Sequence, residues 1–174
     1  MKYLVTGGVR SGKSFHAETL VVAEPSVTYI APGPHSDDDP DWVSRVSAHR
    51  ERRPGHWRTV ETMDLEKAIA MADGAVIVDC LGTWVSALID ELNGWDKTLE
   101  EWEPVFLDRL DVAAAAVTAH TSPVVLVTNE VGLGVVPEHR SGRLFRDFLG
   151  RVNQRFALEV DEVILVIAGR TLTL

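Results

Sequence analysis

A chain of 174 residues has the length of one domain, and we expect residues 1–174 to fold as one compact unit that buries about 70% of its unfolded surface. Its apolar fraction of 45% and charged fraction of 25% exclude a disordered or fibrous chain, and a net charge of -9 disfavours a general nucleic-acid binder. No apolar run reaches the roughly 18 residues of a membrane span, and Gly7 and Gly8 interrupt the N-terminal apolar segment too early for a signal peptide, so we expect a cytoplasmic protein.

Apolar runs and helical spacings alternate along the chain. Short β-branched runs are typical of strands buried on both faces, and longer runs with apolar residues three or four positions apart are typical of helices. In chain order we predict strand Lys2–Thr6, helix Gly12–Val22, strand Val27–Ala31, helix Trp42–His49, strand Ala75–Val78, helix Leu99–His120, strand Val124–Thr128, helix Ser141–Ala157 and strand Val163–Ile167. This alternation indicates an α/β fold with a mainly parallel central sheet flanked by helices, whose ligands bind beyond the carboxyl ends of the strands.

The first helix is predicted from Phe15, Thr19 and Val22, which lie at helical spacing. The helices Leu99–His120 and Ser141–Ala157 are both expected to face the core. The last helix is expected to bury a stripe made of Leu144, Phe145, Phe148, Leu149, Val152 and Phe156. Residues 94–98 are expected to form a plain surface turn.

A phosphate-binding loop follows the first strand. The loop reads Gly7-Gly8-Val9-Arg10-Ser11-Gly12-Lys13-Ser14, which satisfies G-x-x-x-x-G-K-S between a strand and a helix. Its glycines let backbone N–H groups wrap a nucleotide's phosphates at a helix N-terminus, Lys13 would reach the β- and γ-phosphates, and Ser14 would hold Mg²⁺. We therefore predict a single-domain P-loop NTPase of the RecA-like class that acts in phosphotransfer. The loop alone leaves kinases, switches and transporter ATPases equally open.

Two carboxylates compete for the role of metal support. Asp79 ends a predicted buried strand in the position of a Walker-B aspartate, and Glu130 closes another. Asp79 could instead belong to a helix cap, although Thr83 could serve there, so we favour metal support by Asp79 without ranking it firmly above Glu130. Cys80, the single cysteine, is interpreted as an ordinary buried thiol rather than a nucleophile.

An arginine-rich stretch interrupts an otherwise acidic chain. Five arginines lie between Arg45 and Arg58, and His49 lies among them. A neutral imidazole at His49 could attack a phosphorus whose oxygens the arginines neutralise. A solvated loop with an exposed histidine is the alternative, and on the residue chemistry alone we prefer it.

Three sequence blocks together resemble one known family. The first is Thr6-Gly7-Gly8-Val9-Arg10-Ser11-Gly12-Lys13-Ser14 with His16-Ala17-Glu18, and the second combines His49-Arg50, Arg53-Pro54, His56-Trp57-Arg58-Thr59 and Glu61. The third extends from Val125 through Thr128-Asn129-Glu130-Val131-Gly132 to Pro137-Glu138, and continues in Phe145-Arg146-Asp147 and Gly150-Arg151-Val152-Asn153-Gln154-Arg155. These blocks resemble the bifunctional adenosylcobinamide kinase / adenosylcobinamide-phosphate guanylyltransferase family over nearly the whole chain.

The resemblance implies two reactions of cobalamin assembly. ATP or GTP would phosphorylate the aminopropanol hydroxyl of adenosylcobinamide, and GMP would then pass from GTP to that phosphate, giving adenosylcobinamide-GDP. It further implies that His49 carries the guanylyl group, with Mg²⁺ as the metal and Lys13 as a catalytic residue of the loop. The implied nucleotide contacts outside the loop are Pro32, Gly33, Pro34, Arg50, Glu51, Arg52, Arg53, Glu61 and Asp79. The family also implies a homotrimer.

Two other functions remain open at the level of sequence. A kinase-only P-loop enzyme would leave His49 inert and would use the arginines only to close over the phosphate donor. A regulatory protein that hydrolyses GTP slowly as a switch would need no cobinamide.

Overall fold

The computed structural model describes residues 1–33 and 53–174, which form one sheet with helices on both faces. The strands are β1 (Lys2–Gly7), β2 (Val27–Ala31), β3 (Arg58–Glu61), β4 (Ala75–Asp79), β5 (Val124–Asn129), β6 (Glu162–Ile167) and β7 (Arg170–Thr173). The helices of these described ranges are α1 (Lys13–Val21), α2 (Leu65–Ala70), α3 (Leu81–Glu91), α4 (Leu99–Ala119) and α5 (Arg140–Ala157). The predicted helix Trp42–His49 lies outside the described residues.

The sheet brings the ends of consecutive parallel strands to one edge. Its order is β3-β2-β4-β5-β1-β6-β7, and every neighbouring pair is parallel except β6 and β7. Strand β5 lies between β1, which leads into the phosphate loop, and β4, which ends at Asp79. The predicted mainly parallel α/β fold is therefore confirmed, and the carboxyl edge of the sheet collects the sequence motifs.

Each face of the sheet is covered by its own apolar cluster. On the α1 face, Val5, Ala17 and Ile77 are fully buried. The opposite face packs against an aromatic cluster made of Trp84, Trp102, Phe106, Phe148 and Phe156, whose rings meet in tilted and edge-on geometries. Burial on both sides explains why the strand sequences are uniformly apolar rather than alternating.

The first predicted helix is present, but the apolar residues that predict it do not form its buried face. Phe15, Thr19 and Val22 are exposed, whereas Ala17 and Val21 are buried. Helix α1 starts at Lys13, which turns inward at the end of the phosphate loop, and residues four and eight positions later lie on the same face. The loop geometry therefore sets the rotation of the helix. The stripe predicted for the last helix is confirmed, with five of its members buried and Phe145 partly buried in α5.

The turn before α4 is also more than a surface loop. Gly94 is buried, and a Cβ built there would lie 2.8 Å from ring atoms of Trp102. The guanidinium of Arg140, at the start of α5, donates hydrogen bonds to the carbonyl oxygens of Trp95 and Lys97. The predicted turn at residues 94–98 is present and its residues 96–98 are exposed, but it is more than a plain surface turn because it also connects the starts of α4 and α5.

None of the helices described in residues 1–33 and 53–174 has the combined length and apolarity needed to cross a membrane.

Candidate active site

The phosphate loop has the backbone shape that its glycines permit. A Cβ at Gly7 would approach the carbonyl oxygen of Val166 to 2.4 Å, so a larger residue would displace the neighbouring strand β6. Gly12 has φ 97°, a left-handed conformation that glycine adopts without strain, and it directly precedes α1. The two ends of the predicted motif therefore require glycine for different physical reasons, close packing at the first and backbone torsion at the second.

Lys13 lies inside the curve of this loop. Its side chain is buried, and its ammonium group donates a hydrogen bond to the carbonyl oxygen of Gly8 at 3.0 Å. Helix α1 begins at Lys13 without a side-chain cap, so its first N–H groups point at the loop. A buried cation beside a helix N-terminus is an arrangement that binds phosphate.

The β6–β7 hairpin supports the loop from the other side. The N–H of Gly169 donates to the carbonyl oxygen of Ser11 at 2.8 Å, and a Cβ at Gly12 would lie 3.4 Å from the Gly169 Cα. Ala168 and Gly169 both have positive φ, as in the two-residue turns that join antiparallel strands. Strand β7 was not predicted from the sequence, although a glycine after an apolar strand is a signal for such a turn.

Asp79 is held by a buried tyrosine. The Tyr29 hydroxyl donates a hydrogen bond to Asp79 Oδ2 at 2.6 Å, and the guanidinium carbon of Arg53 lies 3.4 Å from the centre of the Tyr29 ring. Burial, reinforced by the charge of Asp79, raises the pKa of Tyr29, so this phenol stays protonated and remains the donor. We call Asp79, Tyr29 and Arg53 the carboxylate relay.

The residues at this edge fit a magnesium ion. Ser14 and Asp79 supply hydroxyl and carboxylate oxygens, which are the ligands that Mg²⁺ prefers. Among the described residues, no group of three or more His, Cys, Asp or Glu side chains is arranged to hold a metal. This donor set matches the usual Mg²⁺ site of nucleotide enzymes, where one or two protein oxygens act together with substrate phosphates and water.

Glu130 has a structural task. Its carboxylate accepts a hydrogen bond from the N–H of Gly132, and its own N–H donates to the carbonyl oxygen of Gly7 at 3.2 Å. The side chain is thereby directed into the turn that follows β5, which favours Asp79 as the metal-supporting carboxylate.

The helix after Asp79 starts without a side-chain cap. Residue 80 is its N-cap, and the Cys80 sulfur lies 3.2 Å from the Thr83 hydroxyl. Burial raises the pKa of the Cys80 thiol, which keeps it protonated and agrees with an unreactive cysteine.

The other predicted nucleotide contacts divide into two groups. Pro32 and Gly33 follow β2 and Glu61 ends β3, so all three lie at the carboxyl edge. A Cβ at Gly33 would meet Thr83 Cγ2 at 2.6 Å, which shows how closely this turn packs on α3. The predicted residues Pro34, His49, Arg50, Glu51 and Arg52 lie outside the described residues.

Sequence reasoning did not identify Tyr29 as a site residue. A tyrosine inside an apolar strand has the pattern of a core residue, and its contact with Asp79 depends on the pairing of Tyr29 with Ile77 across β2 and β4. The stacking of Arg53 on this ring likewise has no local sequence signal.

The fold is shared with a solved P-loop ATPase. A structure titled as a prototypical ATPase from the type III secretion system of pathogenic bacteria superposes with a TM-score of 0.61 at 9% identity, over 94% of this chain. The chain spans 50% of the length of that ATPase. At this identity the likeness shows the P-loop fold alone.

Sequence relatives are similar along their full length. Proteins named bifunctional adenosylcobalamin biosynthesis protein CobU are 43% identical in Salmonella typhimurium and 42% identical in Escherichia coli, each match covering 97% of both chains. A protein named bifunctional adenosylcobalamin biosynthesis protein CobP from Pseudomonas aeruginosa is 34% identical, over 97% of this chain and 94% of its own length. The family model CobU, described as cobinamide kinase / cobinamide phosphate guanyltransferase, matches residues 3–174. The chain therefore belongs to the cobinamide kinase / cobinamide phosphate guanyltransferase family.

Proposed function

We propose that this chain catalyses both reactions in its family's description, phosphorylation of adenosylcobinamide and transfer of GMP from GTP to the resulting phosphate. The observation that carries the proposal is the buried Lys13 within a complete phosphate loop. Asp79, which accepts a hydrogen bond from Tyr29, lies at the same edge of the sheet, and only strand β5 separates its strand from β1. The full-length similarity to proteins named as bifunctional supports the choice of acceptor.

In the kinase step, the loop N–H groups and Lys13 hold the phosphates of ATP or GTP. The substrate hydroxyl oxygen attacks the γ-phosphorus and releases its proton to solvent, the bond from that phosphorus to the bridging oxygen breaks, and ADP or GDP leaves. Ser14 and Asp79 would hold Mg²⁺, which offsets the negative charge that develops during transfer. Positioning and charge stabilisation account for most of the catalysis in such sites.

In the guanylyl step, we propose that neutral His49 attacks the α-phosphorus of GTP. A nitrogen–phosphorus bond forms as the bond to pyrophosphate breaks, and a phosphate oxygen of adenosylcobinamide phosphate then displaces the imidazole. The product is adenosylcobinamide-GDP, and His49 is regenerated. The position of Arg53 in the carboxylate relay, four residues after His49 in the sequence, supports a role for the arginine-rich stretch at this site.

We extend the proposal to the remaining sequence predictions. The loop residues 7–14, with Pro32, Gly33, Arg53, Glu61 and Asp79, contact the nucleotide, as do Pro34, Arg50, Glu51 and Arg52 beyond the described ranges. The chain acts in the cytoplasm as one folded unit over residues 1–174, and it self-associates as a trimer.

The proposal is tested by nucleotide consumption that depends on the acceptor. With ATP and adenosylcobinamide we expect ADP to form together with a corrinoid heavier by one phosphoryl group, measured by coupled assay and mass spectrometry. Lys13→Ala should lower the rate by roughly a hundredfold or more because it removes a preorganised cation at the phosphates. Lys67→Ala, at an exposed position on α2, is the matched control and should keep the rate. Nucleotide hydrolysis that proceeds equally without the corrinoid would instead indicate the regulatory GTPase.

A further inference from the structure

Four apolar side chains are presented to solvent after β5. Val131, Leu133, Val135 and Val136 are all exposed, Leu133 to 91% and Val135 to 95% of their full area. We call residues 131–136 the apolar loop. A cluster of this kind marks a surface on which a ligand or partner binds, because isolated exposed apolar residues are ordinary and neighbouring ones are not.

The backbone of this segment is held in place by arginines of α5. Arg146 donates to the carbonyl oxygens of Gly132 at 2.9 Å and Gly134 at 3.2 Å. Arg143 donates to the carbonyl oxygens of Pro137 at 3.2 Å and of Glu138. Two of these hydrogen bonds hold the backbone of the apolar loop itself and two hold the residues directly after it, while the four apolar side chains remain exposed. A fixed apolar surface loses little conformational entropy when it binds a rigid ligand.

The apolar loop begins beside the phosphate loop. Gly7 and Asn129 are register partners in the parallel pair β1–β5, and the N–H of Glu130 donates to the carbonyl oxygen of Gly7. The apolar segment therefore leaves the sheet at the edge where Lys13 lies. Any acceptor whose hydroxyl reaches the γ-phosphate has the rest of its body at this edge.

We infer that the apolar loop contacts the corrin ring of the acceptor, an inference that rests on the proposed function. The acceptor combines one reactive hydroxyl on a short arm with a large macrocycle that carries methyl groups and amide arms. The phosphate loop recognises only the phosphates, so a separate surface is needed for the macrocycle. Contact between the methyl groups of the macrocycle and Leu133 and Val135 would hold the hydroxyl in line with the γ-phosphorus. Binding energy gained far from the reacting atoms would thereby orient the acceptor.

The test replaces Leu133 and Val135 by serine, singly and together, in the full chain. Leu158→Ser is the matched control, because Leu158 is 79% exposed but follows α5 at the opposite, amino edge of the sheet. Three quantities are measured: the Kd for cobinamide by equilibrium dialysis without nucleotide, the KM for cobinamide and for ATP, and the oligomeric state by sedimentation. The Kd needs no turnover, so the inference stays testable if the proposed kinase activity is absent.

We expect Leu133→Ser/Val135→Ser to raise the Kd and KM for cobinamide about tenfold or more, with the KM for ATP and the sedimentation unchanged. Leu158→Ser should behave as the wild type. An unchanged Kd for cobinamide in the double variant would overturn the inference. Dissociation of an oligomer in the double variant would overturn it as well, since it would assign the apolar loop to contact between copies. A wild type that binds cobinamide but does not phosphorylate it would contradict the proposed function alone.

Discussion

At the scale of single residues, the carboxylate relay connects three parts of the chain that are distant in sequence. Tyr29 comes from β2, Asp79 ends β4, and Arg53 precedes β3. The hydroxyl fixes one carboxylate oxygen, and the stacked guanidinium covers the ring that carries the hydroxyl. Partners of this kind orient a metal-supporting carboxylate, and their loss typically weakens metal affinity or activity about 10- to 100-fold.

Tyr29→Phe removes this hydroxyl and keeps the ring on which Arg53 stacks. We expect the concentration of Mg²⁺ that gives half-maximal kinase rate to rise roughly tenfold, because Asp79 loses the group that orients it. Nucleotide binding measured without Mg²⁺ should not change. Tyr3→Phe is the matched control, since the Tyr3 hydroxyl donates to the Met1 sulfur at the amino end of β1, away from the carboxyl edge. If Tyr29→Phe keeps the Mg²⁺ dependence of the wild type, the Tyr29 hydroxyl does not orient Asp79 and the residue contributes only packing.

The phosphate loop could be predicted from sequence because its residues are contiguous and each has a local reason for its type. The carboxylate relay could not, because its distances arise from the register of two strands that are 44 or more positions apart in the chain. Asp79 and Glu130 illustrate the same limit. Asp79 ends β4 and Glu130 directly follows β5, and the two carboxylates are distinguished by contacts seen in the structure, a hydrogen bond from Tyr29 to Asp79 and one from Gly132 to Glu130.

At the scale of elements, the long α4 and α5 were predicted to within about one residue, whereas the 11-residue helix α3 and three shorter elements were not predicted. β3 and β7 have four residues each, and α2 has six, too few for a periodic pattern to stand out. Helix α1 was located, although its buried face follows from Lys13 rather than from its largest apolar residues.

A pair of glycine substitutions, one in the turn before α4 and one on the exposed face of α5, tests whether that turn is packed. Gly94→Ala should lower the free energy of unfolding by about 1–3 kcal/mol, because the new methyl group would press on Trp102 and Ile89 in a filled core. Gly150→Ala is the matched substitution, since Gly150 is exposed in α5 with open space around it, and it should raise stability by about 0.5–1 kcal/mol. Urea denaturation compares the two midpoints. Equal effects would show that Gly94 lies in an ordinary surface turn.

At the scale of the whole molecule, one sheet edge would serve two transfers. The kinase step attacks the γ-phosphorus and the guanylyl step attacks the α-phosphorus, so the same loop would hold either the transferred group or the departing pyrophosphate. The topology of the sheet places the residues for both transfers together, because the parallel strands β1, β2, β4 and β5 all end at that edge. His49, from the arginine-rich stretch, would then be the nucleophile of the guanylyl step.

The most direct test of this account uses GTP labelled at either the α- or the γ-phosphate, with separation of the protein under denaturing conditions. We expect an acid-labile protein label from α-labelled GTP and none from γ-labelled GTP, and addition of adenosylcobinamide phosphate should move that label to the corrinoid. His49→Ala should abolish the label, whereas His56→Ala, an exposed histidine of the same stretch, should retain it. Absence of an α-derived label, or its persistence in His49→Ala, would contradict guanylyl transfer through His49.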